Sequence, residues 1–233
     1  MAVYALADLH LSSSVEKPMD IFGVAWEHHA EKIKTSWTNQ VTVNDLVLIP
    51  GDISWAMTLL EAQADLDWIA QLPGVKVMIR GNHDYWWNGI QKIRRSLHPS
   101  LHALQNDAFV YDNVVVCGTR GWVSPSHPKF TLEDEAIYKR EGERLKLTLE
   151  KAASHNLPIV AMLHYPPSGA LGETTLFTQL LEEYGVRCCV YGHLHGPSHR
   201  FAVEGQSGGV EYRLVSADYI NFSPLRIDDS CAF

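Results

Sequence analysis

The side chains that could do chemistry come in five short stretches: Asp8-Leu9-His10, Gly51-Asp52, Gly81-Asn82-His83-Asp84, His164, and Gly192-His193-Leu194-His195. Carboxylates, imidazoles and one amide, with no thiolate among them, make a donor set for divalent metal ions. Taken singly, most of these pieces say little. An Asp-x-His pair is common, Gly-Asp after a strand is weak, and a histidine before proline is more often a hydrogen-bonded turn residue than a ligand. Gly-Asn-His-Asp and Gly-His-x-His are more specific, the latter because residues i and i+2 of an extended segment share one face. All five together, in this order, form a strong signal.

Each stretch closes a short apolar run, at residues 2–7, 45–50, 75–79, 159–163 and 187–191. Such runs read as buried strands, and in an open α/β sheet ligands gather beyond the carboxyl ends of the strands. Roughly parallel strands would therefore bring the polar residues to one edge. Between the strands, Trp26, Ala30, Ile33 and Trp37 recur at helical spacing and predict a helix over 26–40. Further helices are expected over 58–70, 88–97 and 173–184, and Thr131-x-x-Asp134 resembles a capping box opening another that runs towards His155. Residues 110–117 read as a hairpin-like pair, and 210–215 as closing antiparallel strands. No repeat or linker interrupts the chain, so a single domain over 1–233 is expected.

The 233 residues are 46% hydrophobic, enough for a sizeable core. No 18-residue apolar span marks a membrane helix, and the start lacks a basic segment and cleavage site, so a cytoplasmic protein is expected. Cys117, Cys188, Cys189 and Cys231 show no C-x-x-C spacing and read as buried reduced thiols. Nineteen Lys and Arg against 27 Asp and Glu give a net charge of -8 without a basic stripe, so duplex DNA is not an expected partner.

With its five motifs in order from residue 8 to residue 195, the sequence resembles the calcineurin-like metallophosphoesterase family, as a compact bacterial-type member. The resemblance implies an α/β, four-layer αββα sandwich in which two mixed β-sheets are flanked by helices. It implies two divalent metal ions, one held by Asp8, His10, Asp52 and His195 and the other by Asp52, Asn82, His164 and His193, with Asp52 bridging. Manganese is the first choice, and iron or zinc also suits these donors. It further implies a hydrolase of phosphoric esters, a phosphodiesterase or phosphatase. A hydroxide shared by the metals would attack phosphorus in line, with His83 as general acid and Asp84 orienting its ring. One departure is Trp55, three positions after Asp52, where the family often carries a polar residue.

The expected partner is a small phosphorylated substrate, a nucleotide among the candidates, with no membrane and no evident dimer patch. Arg120, at a strand end, could hold phosphate oxygens in a bidentate fork or pair with a surface carboxylate. Trp55, Trp86 and Trp122 could supply a ring wall for the organic part of a substrate, or cap the core beneath the metals. The alternative from a different class is a non-catalytic metal-binding scaffold of the same fold that mediates protein interactions. His83 is the residue that separates the two readings.

Overall fold

Short runs of β-branched and aliphatic residues become strands buried on both faces, the pattern of a parallel sheet covered on each side. The computed structural model describes residues 1–231. In the first sheet, β1 (Val3–Ala5), β2 (Leu46–Ile49), β3 (Val75–Met78) and β4 (Leu101–Ala103) run parallel in that order. A two-residue strand near the C-terminus, Leu225–Arg226, pairs antiparallel with β1. The second sheet holds β5 (Ala108–Tyr111), β6 (Val114–Thr119), β7 (Ile159–Leu163), β8 (Cys188–Tyr191), β9 (Gly205–Ser207) and β10 (Val210–Leu214). Its order is β5-β6-β7-β8-β10-β9, with β5 and β9 antiparallel at the edges. The C-terminal Leu225–Arg226 strand is β11 in chain order.

Side-chain alternation then builds the layers. Leu46, Leu48 and Val77 turn inward to meet Val116, Val160, Met162 and Val190 between the sheets. Val47, Ile49 and Met78 face the other way, against α1 (His29–Gln40), α2 (Leu59–Ala70) and α3 (Ile90–Ser96). Cys117, Ala161, Leu163 and Cys189 pack beneath α4 (Leu132–Ala153) and α5 (Leu176–Glu183). Helix, sheet, sheet and helix give the four-layer αββα sandwich of two mixed sheets that the resemblance implies.

Several local expectations shift. The first helix begins at His29 because His28 is left-handed, at φ 53°, and residues 24–26 form a separate 3-10 turn that carries Trp26. Helix α4 starts where its capping box requires, Thr131 accepting from the Asp134 N–H while the Asp134 carboxylate accepts from that of Thr131. Helix α5 starts at Leu176 because the Thr175 hydroxyl caps it. Strand β10 lies parallel to β8, and only its hairpin with β9 is antiparallel, turning through Gly208-Gly209 with both φ positive. The reading of four reduced thiols is corrected: Cys188 of β8 is disulfide-linked to Cys231 of α6 (Asp228–Cys231), whose chain folds back over the same inter-sheet layer. Cys117 and Cys189 are free and buried. Among the described residues no helix is long and apolar enough to cross a membrane.

Candidate metal centre

The carboxyl ends of β1, β2, β3, β7 and β8 deliver the five motifs to one edge of the sandwich. There the chain turns sharply, with Asp8, His10, Asp52 and His193 all left-handed at φ 60°, 44°, 50° and 73°. Left-handed backbone at residues other than glycine costs about 1 kcal/mol or more each and persists only where surrounding contacts hold it. Here those contacts are a backbone ladder: the Asp8 N–H donates to Gly51 O and the His10 N–H to Asp52 O, both at 3.0 Å. The motif glycines are needed because loop packs on loop. A Cβ on Gly51 would lie 2.7 Å from the Gly81 Cα, and one on Gly81 would overlap the Asp52 carboxylate.

Two groups of donor atoms form around the shared Asp8. Asp8, His10 and His195 make one, and Asp8, Asp52 and His164 the other, with donors in each within 4.8 Å of one another. Asp52 Oδ2 stands 3.8 Å from His10 Nε2 and 3.4 Å from His164 Nε2, between the two groups. Asn82 Oδ1 lies 2.6 Å from His164 Nε2, and His195 Nε2 lies 3.7 Å from Asp8 Oδ1. His193 belongs to neither group. Its ring packs against Tyr165 at 4.1 Å and His164 at 5.1 Å, while its N–H donates to Asp8 Oδ2.

These residues fit a metal ion. Asp8 Oδ1 and His10 Nδ1 are buried without any hydrogen-bond partner, and two carboxylates sit together out of water. Such a pair needs a cation. The Nδ1 atoms of His164 and His195 are spoken for, by Pro50 O at 3.0 Å and Asp218 Oδ1 at 2.8 Å, which leaves each Nε2 facing inward. Burial drives His10, His164 and His193 below the usual imidazole value, His164 to about 3, so these rings are neutral and hold no extra proton against a metal ion. Burial raises Asp8 to about 7 and raises Asp52 as well. Burial works against charge on His195 too, but Asp8 and Asp218 outweigh it and hold the ring near 9.

Asp218 is a positioning residue that sequence reasoning missed. Its carboxylate also accepts the Gly196 N–H and pairs with His199 at 3.2 Å. The available signal was the familiar one, a polar residue just past an apolar run, here after β10.

A family profile described as calcineurin-like phosphoesterase matches residues 1–197. The chain belongs to that family. Among curated relatives, the chain is 38% identical to the gene 66 protein of Mycobacterium phage L5 over 99 residues, 42% of this chain and 44% of that one. It is 36% identical to the gene 66 protein of phage D29 over 83 residues, 35% of this chain and 40% of that one. The matched stretch thus spans less than half of either relative. Among solved structures, it resembles the phosphopantetheinyl hydrolase PptH of Mycobacterium tuberculosis with TM-score 0.57 and 15% identity, over 92% of this chain and 88% of that one. It also resembles the protein of unknown function AQ665 of Aquifex aeolicus, with TM-score 0.53 and 12% identity, over 98% and 96%. These two are likenesses of fold.

The third motif divides between cleft and core. The His83 ring lies in the cleft, 4.4 Å from Trp55, with Nδ1 unpartnered and its N–H donating to Asp52 Oδ1 at 2.8 Å. Asp84 does not orient that ring, contrary to expectation. It is fully buried, and its oxygens accept the N–H groups of Ile53, Ser54 and Gly81 and the indole N–H of Trp86 at 2.7–3.2 Å. It is a clamp between the loops after β2 and β3. Trp86 is fully buried on that clamp and presents no wall to a ligand. Trp55, in the position where the family often has a polar group, stacks on His10 at 4.8 Å and lines the cleft.

The cleft has two apolar recesses that share His193. One, of about 380 Å³, is walled by Met19, Phe22, Trp26 and Trp55. The other, of about 480 Å³, is walled by Trp122, Tyr165, Leu194 and Phe201. Arg120 lines neither: its guanidinium turns towards Glu141 at 3.7 Å and lies over the Trp122 ring at 4.5 Å.

Proposed function

We propose that the chain hydrolyses phosphoric esters with two divalent metal ions. The observation that carries this reading is the position of Asp52 Oδ2 between His10 Nε2 and His164 Nε2, beside a second buried carboxylate, Asp8. Asp8, His10, Asp52 and His195 would hold one ion, and Asp52, Asn82 and His164, with His193 against them, the other. Divalent ions bound there supply Lewis acidity to a phosphoryl oxygen and lower the pKa of a water towards about 7. Manganese, iron and zinc all suit imidazole, carboxylate and amide donors, with manganese our first choice.

His83 moves the proton to the leaving oxygen. Its ring lines the cleft, with Nδ1 buried and without a partner; burial lowers its pKa while Asp52 pulls it back up. Trp55 holds the ring from one side, and the Asp52 bond to the His83 N–H fixes its backbone. An apolar recess on each side of His193 supports a diester with an organic group in each arm over a bare monoester.

The test uses chelator-treated protein reloaded with manganese. Metal-dependent turnover of bis(p-nitrophenyl) phosphate, faster than of p-nitrophenyl phosphate, is expected, with loss of turnover in Asp52→Asn. His83→Ala should keep its metal and lose about 10²- to 10⁴-fold on an alkyl ester. The loss should be smaller on nitrophenyl esters, whose leaving group needs no proton. Two bound ions with no turnover of either ester would reject the hydrolase reading, and equal losses on both leaving groups would reject the acid role.

A further inference from the structure

A second cavity, of about 230 Å³, opens between the strand ends of β3 and β6 and the flank of α4, and shares no lining residue with the metal cleft. Its charged lining is Arg80, Arg120, Arg144 and Glu141, three guanidiniums facing one carboxylate. Glu141 is fully buried and fully engaged, accepting the Thr119 hydroxyl at 2.6 Å and Arg144 at 2.7 Å, with Arg120 at 3.7 Å. Among the described residues no other carboxylate lines the cavity, and Arg140 also lies 3.9 Å from Glu141. Arg80 forms no ion pair among the described residues, and the Nε atoms of Arg80 and Arg120 are both buried without a hydrogen-bond partner. Arg80 also lies close enough to Arg120 to repel it.

Buried guanidiniums are stable when paired, and their planar forks match the oxygens of a tetrahedral anion. Asn106 lines the same wall, its Oδ1 buried without a partner. We infer that this cavity is an anion site, separate from the metal centre, that takes a phosphate group between Arg80, Arg120 and Arg144. The site sits directly behind two metal-ligand loops. Arg80 precedes Gly81-Asn82, and the Arg120 carbonyl accepts the N–H groups of His164 at 3.1 Å and Tyr165 at 2.9 Å. Occupancy would therefore hold in place the backbone that presents Asn82 and His164.

Titration calorimetry on the metal-free full chain tests this without any ester hydrolysis. Inorganic phosphate and glycerol 3-phosphate, used side by side, separate a free ion from an esterified phosphoryl group; saturable one-site binding of either supports the site. Affinity should fall about tenfold or more in Arg120→Gln and in Arg144→Gln, since each charge-assisted bond contributes at least that much. It should be unchanged in Asp52→Asn, which alters the metal cleft alone. No saturable binding, or binding weakened by Asp52→Asn but not by the arginine variants, overturns the proposal. A second measurement needs no variant. Phenylglyoxal labelling of the wild-type chain, read by mass spectrometry, should be slowed by phosphate at Arg80 and Arg120 and unaltered at exposed Arg200. Equal labelling with and without phosphate at those two residues would also sink the idea.

Discussion

His195 differs from its neighbours in the centre because two carboxylates, Asp8 and Asp218, hold it protonated to about 9, whereas burial empties His10, His164 and His193 of their protons. A metal ion must displace that proton, and below about 7 it must also displace one from Asp8. The sign follows: acid competes with metal, so the contribution of these two groups to affinity rises with pH up to about 9 and is constant above it. Calorimetry of manganese binding in buffers of different ionisation heat should show about one proton more released at pH 8 than near pH 10, where His195 is already neutral and the metal-bound water alone still gives up a proton. The same release at both pH values would remove His195 from the ligand set. Asp218→Asn takes away the group that orients the ring. It should weaken metal binding by about 10- to 100-fold while leaving the fold intact.

The loops after β2 and β3 act as one element because Gly51 packs on Gly81 and Asp84 clamps both. Gly81→Ala drives a methyl into Asp52 and should abolish metal binding by calorimetry, while the far-ultraviolet circular dichroism stays native. Retained affinity would mean that the loops can part. Behind the same loops, β3 carries Lys76, whose ammonium donates to the Leu72 and Ala70 carbonyls at the end of α2. Burial pulls this lysine from 10.5 to about 8. Between those values the unfolded chain binds the proton and the folded chain does not, so stability rises with pH from about 8 to 10.5. Below about 8 both states are charged and the burial cost is present in full. Urea midpoints for the wild type should climb across that window relative to Lys76→Met, and parallel curves would show that the carbonyls fully compensate the charge.

The candidate metal centre spans the two sheets. Asp8, Asp52 and Asn82 stand on the loops of the first, and His164, His193 and His195 on those of the second. An ion that binds only the folded chain should therefore stabilise the whole sandwich, by about 2.7 kcal/mol at a hundredfold excess over its Kd. For a chain of this length that corresponds to a rise in Tm of roughly 5–10 °C. Scanning calorimetry of metal-free and manganese-loaded protein measures it, and an unchanged Tm would place the bound ions away from the centre.

The kinds of donor, their order and their meeting at one edge were legible in the sequence, because each motif closes a strand and strand periodicity is a local property. The capping boxes of α2 and α4 are local too, being bonds between residues three apart. What a side chain does past the strand end depends on partners far along the chain. Adjacency to His83 therefore did not reveal that Asp84 turns away to three N–H groups and the Trp86 indole, nor did the strand-end position of Arg120 reveal its turn to Glu141. Asp218, 23 residues beyond His195, and the Cys188–Cys231 link likewise exist only once distant segments fold together. Local chemistry named the candidate metal ligands, while the packing of loop on loop decided which polar groups face the cleft and which hold it open.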